Sequence, residues 1–407
     1  GEKVWDTGIE FGTVSAIRHG ETVEITTFRS DLYDGVTRNP EVTFGDTLDG
    51  DLVRRDFACN AMAIELSLDD ELRLSPTFHD PVDGLSDLVE QVLDTPQAPE
   101  VSFRDDPLRM LRAARFVSQL GFTVADRVFD AMRDMAGEIE RITAERVQAE
   151  LDKLMLGARP WEGIDLLVST GVASYILPEI PALQLETDEH MQHKDVYRHS
   201  LTVLRQATEL EDEGPDLKLR WAALMHDIGK PATRAPKEGG GVTFHHHEVV
   251  GAKMVRKRLK ALKYPKYVIS DVGQLVFLHM RFHGFGEGQW TDSAVRRYVT
   301  DAGELLPKLH KLVRADSTTR NAKKAARLQR TYDHLEKRIA DIAAKEDLAR
   351  VRPDLDGNEI MQILGLKPGP EVGKAWKYLK ELRLERGELE HDEAVAELKA
   401  WWERENA

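Results

Sequence analysis

The feature that most constrains the fold of this chain is a change in hydrophobic period along its length. Strand-like alternation is confined to the beginning, where residues 11–17 and 22–28 flank a glycine-containing turn at 18–21. From about residue 105 onward, apolar residues recur at helical spacing almost throughout. We therefore predict an α+β fold, with a small β-containing head followed by a long all-α body.

Length and composition narrow the class of protein. A chain of 407 residues is long enough for about three domains, each with its own core. With 41% hydrophobic and 31% charged residues it is neither disordered nor membranous, and no apolar run approaches the roughly 20 residues that span a bilayer. The single cysteine, Cys59, excludes an intramolecular disulfide and agrees with a cytoplasmic location. The sequence leaves the oligomeric state open.

Two arginines, an aspartate and an asparagine lie close together beside an apolar run that we predict to be helical. They are Arg54, Arg55, Asp56 and Asn60. Guanidinium groups bind phosphate through paired hydrogen bonds, and the amide and carboxylate suit a ribose. This block predicts a nucleotide-binding site.

A second block follows some forty residues later. Asp106 and Arg109 are three residues apart, so on a helix they project from one face and present an acceptor and a donor to a nucleobase edge. Arg112 and Arg115 continue the row and are predicted to reach phosphates. Taken alone, the row is equally typical of a salt-bridged surface helix.

The two blocks, in this order, resemble the class II tRNA nucleotidyltransferase family, which contains the CCA-adding enzymes and the bacterial poly(A) polymerases. In length and in residue sequence, the chain is most similar to the actinobacterial type. The resemblance implies that the 54–63 block binds the incoming nucleotide and that the 105–109 block selects CTP and then ATP. It implies tRNA as the partner and CCA addition as the activity. Poly(A) addition stays open.

The same resemblance implies a Mg²⁺ site built on an Asp-x-Asp strand, which would activate the attacking hydroxyl. No such motif precedes Glu24. Glu24 alternates with Thr26 and Phe28 on one strand face and matches the family's third carboxylate, so it is our catalytic candidate; an exposed strand glutamate is the alternative. We expect that the chain lacks its first segment and, as written, does not transfer nucleotides.

A set of histidines and aspartates predicts a second site, for a metal. An adjacent pair at a helix end can aim both side chains into one cavity, and imidazole and carboxylate are ligands for divalent cations. The candidates are His199, His226, Asp227, His247, His279 and Asp316, with His245 as the alternative to His247. Their order resembles the HD phosphohydrolase superfamily, which implies one or two ions, either a transition metal or Mg²⁺. The resemblance further implies that this site hydrolyses a phosphomonoester or a 2′,3′-cyclic phosphate.

We predict four segments: a nucleotidyltransferase head at 1–95, a helical neck at 96–185, an HD-type domain at 186–350 and a helical tail at 351–407. A net charge of −15 opposes RNA binding, so the basic residues would have to be segregated. Two helical stretches are candidates for contacting tRNA, although solvated helix faces are the alternative: Lys253, Arg256, Lys257, Arg258, Lys260, Lys263 and Lys266, and Arg314, Arg320, Lys323, Lys324, Arg327 and Arg330.

Two other functions fit the same motifs. One is an HD phosphohydrolase whose head only recognises RNA or a nucleotide. The other is a tRNA-binding module without enzymatic activity.

Overall fold

A computed structural model describes residues 3–8, 13–28, 47–184, 195–236, 241–285, 290–318, 321–345 and 351–406. The chain divides into two compact units, one of residues 1–182 with 261–263 and the other of residues 183–260 with 264–407. Helices dominate both units and the strands are short, so the predicted α+β class is confirmed. This division into two units does not test the four predicted segment boundaries, which therefore stay predictions.

The first unit begins with a three-stranded antiparallel sheet of strands β1 (Lys3–Gly8), β2 (Thr13–Arg18) and β3 (Glu21–Thr26), in the order β1-β2-β3. The predicted hairpin is confirmed. Its two turn residues, His19 and Gly20, both have positive φ, which is the geometry that matches the twist of a tight hairpin. Strand β1 was not predicted.

The segment that carries the first motif differs from the prediction. Helix α1 (Leu48–Val53) ends before the arginines, and a single 3₁₀ turn (Ala58–Asn60) leads into the antiparallel hairpin of β4 (Ala63–Leu68) and β5 (Leu74–His79). The predicted helical run after residue 54, and the restriction of strands to the beginning, are therefore wrong. The cause is tertiary: Ala58 N–H donates to the Asp94 carbonyl, and a Cβ on Gly84 would lie 2.0 Å from the Ala58 carbonyl oxygen.

The remainder of the first unit is mostly helical. Its elements are α2 (Gly84–Glu90), β6 (Val92–Leu93), α3 (Pro99–Asp105), α4 (Leu108–Leu120), β7 (Thr123–Val124), α5 (Asp126–Asp134), α6 (Ala144–Met155), α7 (Pro160–Ser169) and α8 (Ala173–Ile176). Strands β6 and β7 pair in parallel. Helix α4 packs against α6 and α7, and buried Leu111, Leu151 and Leu167 belong to this core.

The second unit surrounds a helix of which residues 219–225 are buried. Its elements are α9 (Val196–Glu209), α10 (Leu217–Met225), α11 (Lys230–Thr233), β8 (Ala235–Pro236), β9 (Val242–Thr243), α12 (His247–Ala261), α13 (Lys266–Leu278), α14 (Asp292–Ala302), α15 (Leu306–Asp316) and α16 (Ala322–Ala343). Helix α10 is packed by α9, α13 and α15 and buries Trp221 and Leu224 completely. A helix that is packed by three others in this way lies at the centre of the unit, and its charged residues Lys218 and Arg220 pair with Asp271 and Glu211.

Three further helices complete the second unit: α17 (Gly357–Leu364), α18 (Pro370–Arg386) and α19 (His391–Glu405). They share a hydrophobic cluster that includes Ile360, Leu379 and Leu398. Helix α17 starts with a capping box in which Asp356 and Glu359 satisfy each other's backbone N–H groups. Within the described part of the chain, no helix is long and apolar enough to cross a membrane.

Candidate nucleotide and metal sites

Asp56 joins the two predicted nucleotide-binding blocks. One carboxylate oxygen accepts from the Phe57 N–H at 3.0 Å and from Asn60 Nδ2 at 3.4 Å. The other accepts from Arg112 Nε at 2.7 Å and lies 2.5 Å from Arg112 Nη2, a paired contact that is specific to guanidinium. Residues 56 positions apart in sequence are thereby held together across the first unit.

Arg109 makes the second connection between the blocks. It donates to Ser102 Oγ and to the Arg54 backbone carbonyl, both at 2.7 Å. A guanidinium carries five N–H donors, so these two bonds leave donors for a ligand. The structure thus brings Arg109 beside the 54–56 segment.

The relation of Asp106 to Arg109 differs from the prediction. Helix α3 ends at Asp105, Asp106 is extended with φ −140°, and α4 starts only at Leu108. The cause is Pro107, because a residue that precedes proline is disfavoured in the helical region. The expectation of an i, i+3 pair on one helix is therefore wrong; instead the Asp106 carboxylate accepts from the Leu108 N–H at 3.1 Å and from Arg146 Nη2 at 3.2 Å.

Arg115 lies in the protein interior. Its side chain is 9% exposed, and its Nη1 lies 3.0 Å from Glu150 Oε2, whose side chain is 6% exposed. The guanidinium also stacks over the Phe116 ring at 4.4 Å. Burial lowers the pKa of Arg115, and Glu150 opposes that shift. The expectation that Arg115 reaches a phosphate is not met by this geometry, which makes it a link between α4 and α6.

The remaining members of the first motif surround Asp51. This buried carboxylate accepts from Arg54 at 3.1 Å and from Arg55 at 3.2 Å, and half of the Arg55 side chain is exposed. Glu24 lies apart from these residues in sequence, on the fully exposed strand β3, opposite Ser15 of β2. Asp51 was not predicted, although its position three residues before Arg54 on a helical pattern was a usable signal.

The metal candidates lie at helix ends in the second unit. His226 and Asp227 directly follow α10, His247 starts α12, His279 directly follows α13, and Asp316 ends α15. The sixth candidate, His199, lies in the first turn of α9. Because these helices converge on one another, residues more than a hundred positions apart meet.

Asp227 is the centre of this cluster. His226 Nε2 lies 3.2 Å, His247 Nε2 3.3 Å and His279 Nε2 4.0 Å from its carboxylate oxygens. His199 Nε2 lies 2.9 Å from Asp316 Oδ1. Two groups, His199 with His226 and Asp227, and Asp227 with His247 and His279, each place their ligand atoms within 4.8 Å of one another. All six predicted metal residues are therefore brought together.

Three imidazoles are oriented by the same local device. Nδ1 of His226, His247 and His279 lies 2.9, 2.9 and 2.6 Å from the backbone carbonyl three residues earlier. Each Nδ1 therefore donates to a carbonyl, so that Nε2 of each ring faces the cluster, where a cation would take the place of any Nε2 proton. Buried His247 Nε2 and His279 Nε2 have no hydrogen-bond partner among the described residues, so this donor set fits a divalent cation.

Electrostatics also favour positive charge at the centre of the cluster. Burial disfavours the imidazolium of His226, but the negative charges of Asp227 and Asp316 outweigh the effect of burial and raise the pKa of His226 to about 10. Against burial, His226 and Lys230 hold the pKa of Asp227 well below its usual range. Burial, together with His226, lowers the pKa of His279 to about 3. The Asp227 carboxylate thus stays ionised, as a metal ligand must.

The choice among three adjacent histidines is settled geometrically. His247 is 4% exposed and lies in the cluster, whereas His245 and His246 are exposed. Gly229 makes this position possible, because a Cβ there would lie 2.1 Å from the His247 carbonyl oxygen. The sequence did not reveal Thr318, whose Oγ1 lies 3.1 Å from His199 Nδ1 and orients the one imidazole without a carbonyl partner.

Glu24 belongs to neither three-residue group. Among the described residues, the clusters that bring three metal-binding atoms together are those around Asp227. The described part of the head therefore does not assemble a complete Mg²⁺ site around Glu24.

Three family descriptions match the chain in succession. Residues 2–94 match "Poly A polymerase head domain", residues 121–183 match "Probable RNA and SrmB-binding site of polymerase A", and residues 196–347 match "HD domain". The first contains the 54–60 block and the third contains all six metal candidates.

Curated relatives cover most of the chain. An A-adding tRNA nucleotidyltransferase of Deinococcus radiodurans is 35% identical over 355 residues, which are 86% of this chain and 78% of the relative. A CC-adding tRNA nucleotidyltransferase of Thermus thermophilus is 33% identical over 364 residues, 87% of this chain and 77% of the relative. A CCA-adding enzyme of Pediococcus pentosaceus is 39% identical over 175 residues, 43% of this chain and 42% of the relative.

Solved structures share the fold. The Bacillus stearothermophilus CCA-adding enzyme in complex with CTP superposes with a TM-score of 0.65 at 24% identity, covering 100% of this chain and 86% of the other. A tRNA nucleotidyltransferase complexed with a primer tRNA and an incoming ATP analog gives a TM-score of 0.54 at 20% identity, covering 82% and 83%. At these identities the likeness establishes the fold alone.

Proposed function

Because the chain belongs to the family of tRNA nucleotidyltransferases and poly(A) polymerases, we propose that it adds CCA to the 3′ end of tRNA from CTP and ATP. The observation that carries this proposal is the pair of connections from Arg112 to Asp56 and from Arg109 to the Arg54 carbonyl. These contacts unite the block proposed to hold the nucleotide with the block proposed to select it. The activity is assigned to the cytoplasm.

The proposed roles follow from the remaining hydrogen-bonding capacity. Half-exposed Arg55, with Arg54, holds phosphate oxygens, while Arg112 keeps Asp56 and Asn60 in place for the ribose. Arg115 supports α4 from the interior and touches no ligand. Glu24 is the proposed catalytic carboxylate, with Mg²⁺ as the cofactor of transfer.

Base selection is assigned to Asp106 and Arg109. Cytosine and adenine both present an amino donor where uracil and guanine present a carbonyl acceptor. A carboxylate beside a guanidinium therefore accepts the former pair and rejects the latter. Asp106 keeps acceptor capacity beyond its two bonds, and Arg109 keeps donors beyond its own two.

The direct test is incorporation of labelled CTP and ATP into tRNA that ends before, within or after the CC step. The assay is run with the 407-residue chain and with a longer form to which a glycine-rich turn and an Asp-x-Asp strand, the elements that the resemblance implies for Mg²⁺ binding, have been added. Addition of C, C and A in order is expected. Since two relatives are named A-adding and CC-adding, ATP incorporation only into tRNA ending in CC, or CTP incorporation alone, would replace the proposal with a partial reaction. Continued A addition would indicate a poly(A) polymerase.

Arg109→Ala should blur nucleotide choice rather than only slow the reaction. We expect the ratio of kcat/KM for CTP over UTP to fall roughly 10- to 100-fold, because one base-specific contact contributes about 1–3 kcal/mol. Arg133→Ala is the matched control, since Arg133 is exposed and, among the described residues, forms ion pairs only with Asp130 and Asp134 beside it. Unchanged selectivity in Arg109→Ala would remove the template role.

A second function, phosphohydrolysis, is favoured by the unpartnered Nε2 atoms of His247 and His279. A divalent ion held by His199, His226, Asp227, His247, His279 and Asp316 would supply Lewis-acid activation of water. Lys230, whose Nζ lies 2.8 Å from Asp227 Oδ2, is placed to contact a phosphate.

Its test is hydrolysis of a 2′,3′-cyclic phosphate by the 407-residue chain loaded with Mn²⁺, Co²⁺, Ni²⁺ or Mg²⁺. His226→Ala combined with Asp227→Ala should abolish both turnover and bound metal measured by elemental analysis. His245→Ala, at an exposed neighbour outside the cluster, is the control and should change neither. Metal retention without hydrolysis would reduce the site to a structural one.

A further inference from the structure

Helix α16 carries an exposed basic row along one face. Its members are spaced i, i+4, i+7, i+11 and i+14, so they lie above one another over four turns: Lys323, Arg327, Arg330, His334 and Lys337. At about 1.5 Å per residue the row is roughly 21 Å long.

The opposite face of α16 is buried and fixes the row's direction. Tyr332 and Leu335 are 5% and 1% exposed, and Ile342 is 6% exposed. The Tyr332 hydroxyl donates to the Val313 carbonyl at 3.0 Å and meets Ser317 Oγ at 2.6 Å, which anchors α16 on the end of α15. The basic row therefore faces away from the protein interior.

Acidic side chains of α16 are kept away from the row. Asp333 and Glu336 lie on the flank and both contact Arg314 of α15, at 2.8 and 3.0 Å. Asp341, at the far end, is the one acid that follows the row's own spacing. Among the described residues, no carboxylate lies within 4.0 Å of the charged groups of Lys323, Arg327, Arg330 or Lys337.

This segregation is unusual in a chain with 71 acidic residues and a net charge of −15. A solvated helix in such a chain would intersperse both signs, because like charges at i, i+4 destabilise a helix by a few tenths of a kcal/mol. Four unpaired cations in line instead complement a line of negative charges. Along the axis of a duplex each strand offers one phosphate per about 3.4 Å, so the row is long enough to meet several of them.

We propose that the Lys323–Lys337 face of α16 binds the phosphate backbone of the tRNA substrate. The inference rests on the proposed tRNA function and adds a contact surface in the second unit to the RNA-binding match at residues 121–183 of the first. Arg320, which the sequence grouped with this row, lies outside the described residues.

Helices α18 and α19 supply a matched control. Lys374, Lys377 and Lys399 are exposed, but they form no continuous row because they are divided between two helices. Replacing three lysines there with glutamine removes as much charge as replacing Arg327, Arg330 and Lys337. Glutamine is a good helix former, so both variants should fold.

The test measures binding of a tRNA transcript without its CCA end to the 407-residue chain between 50 and 300 mM KCl, by fluorescence anisotropy. We expect the R327Q/R330Q/K337Q variant to bind at least about tenfold more weakly at 100 mM, with the slope of log K against log[salt] reduced by roughly 2–3. The K374Q/K377Q/K399Q variant should bind like the parent. CTP affinity should be the same in all three.

Each other outcome overturns the inference. Parent-like tRNA binding by the α16 variant would show that the row serves another partner, while the proposed function would stand. Equal weakening in both variants would show that only net charge matters. No tRNA binding by the parent chain at any salt concentration, with CTP binding retained, would remove the tRNA function and this surface together.

Discussion

At the scale of single residues, Asp56 has two effects on its surroundings. Its carboxylate orders the turn that follows it by accepting from Phe57 and Asn60, and it receives Arg112 from α4. Its negative charge also acts on Cys59, three residues later. Burial raises the pKa of the Cys59 thiol, and the negative charges of Asp56 and Asp87 raise it further, to about 11.

Cys59 should therefore react slowly. The pKa is raised from an ordinary value of 9.0 to about 11, so at pH 8 we expect about 100-fold less thiolate and correspondingly slow iodoacetamide labelling. The labelling rate, followed by mass spectrometry, should rise about tenfold per pH unit up to pH 10. Asp56→Asn should speed labelling at pH 8. A rate that levels off near pH 9 would contradict the shift.

Gly229 is the residue on which the close approach of the His226–Asp227 turn to α12 depends. A Cβ at this position would lie 2.1 Å from the His247 carbonyl oxygen and 2.7 Å from the Gly251 nitrogen. Gly229→Ala should lower the free energy of unfolding by at least about 1–3 kcal/mol and weaken Co²⁺ binding, because α12 and His247 must move.

The control for this substitution is Gly373→Ala. Residue 373 lies in α18, and a Cβ there would meet nothing within 4 Å, so stability should stay constant or rise by about 0.5–1 kcal/mol. Urea unfolding and Co²⁺ absorption measure the two effects. Equal behaviour of both alanine variants would show that the second unit tolerates a wider gap at Gly229.

At the scale of elements, buried polar contacts decide which helices stay together. Helix α4 is joined to α6 by Arg115 and Glu150 and by the Ser118 hydroxyl, which donates to the Leu154 carbonyl at 2.6 Å. Helix α4 also carries Arg109 and Arg112, which contact the 54–56 segment. The position of the proposed selection block thus depends on a contact on the other side of the helix.

Glu150→Ala should destabilise the first unit by about 3–5 kcal/mol, because it leaves the buried Arg115 guanidinium without its counter-ion. The double variant Arg115→Met with Glu150→Leu should regain most of that loss, since two apolar side chains of similar volume replace the pair. Urea denaturation of both variants measures the difference. Equal destabilisation by both would mean that the specific ion pair, rather than desolvation of an isolated charge, determines stability.

At the scale of the whole molecule, the two proposed sites are each built within one compact unit. The nucleotide residues 54–60 and 106–115 belong to the first, and the metal residues 199–316 belong to the second. A site assembled within one unit keeps its geometry when a ligand of the other is removed.

Metal removal should accordingly leave nucleotide binding intact. We expect the Kd for CTP, measured by calorimetry, to change less than about twofold between His226→Ala and the parent chain, while Co²⁺ binding is lost. Asp56→Ala is the reciprocal variant and should weaken CTP binding without affecting Co²⁺. A large change in CTP affinity on loss of the metal would show coupling between the units.

The sequence by itself determined the family and the α+β class, and it predicted most of the residues proposed for the two sites. Residue type and spacing carry this information, because chemistry requires guanidinium and carboxylate groups for nucleotides and imidazole for metals. The HD-type cluster was also predictable as a set, since each member marks a helix end or an apolar helical stretch. Even the choice of His247 over His245 followed from the apolar pattern after it.

Tertiary structure decided what these residues can reach. The β4–β5 hairpin replaces a predicted helical run, whereas the removal of Asp106 from the helix that carries Arg109 is a local effect of Pro107. Burial turns Arg115 from a phosphate ligand into a structural cation, and Thr318 enters the metal cluster from a distant turn. Such outcomes depend on contacts between residues far apart in sequence. Local periodicity reports only the preference of a segment, and long-range hydrogen bonds and burial can override that preference.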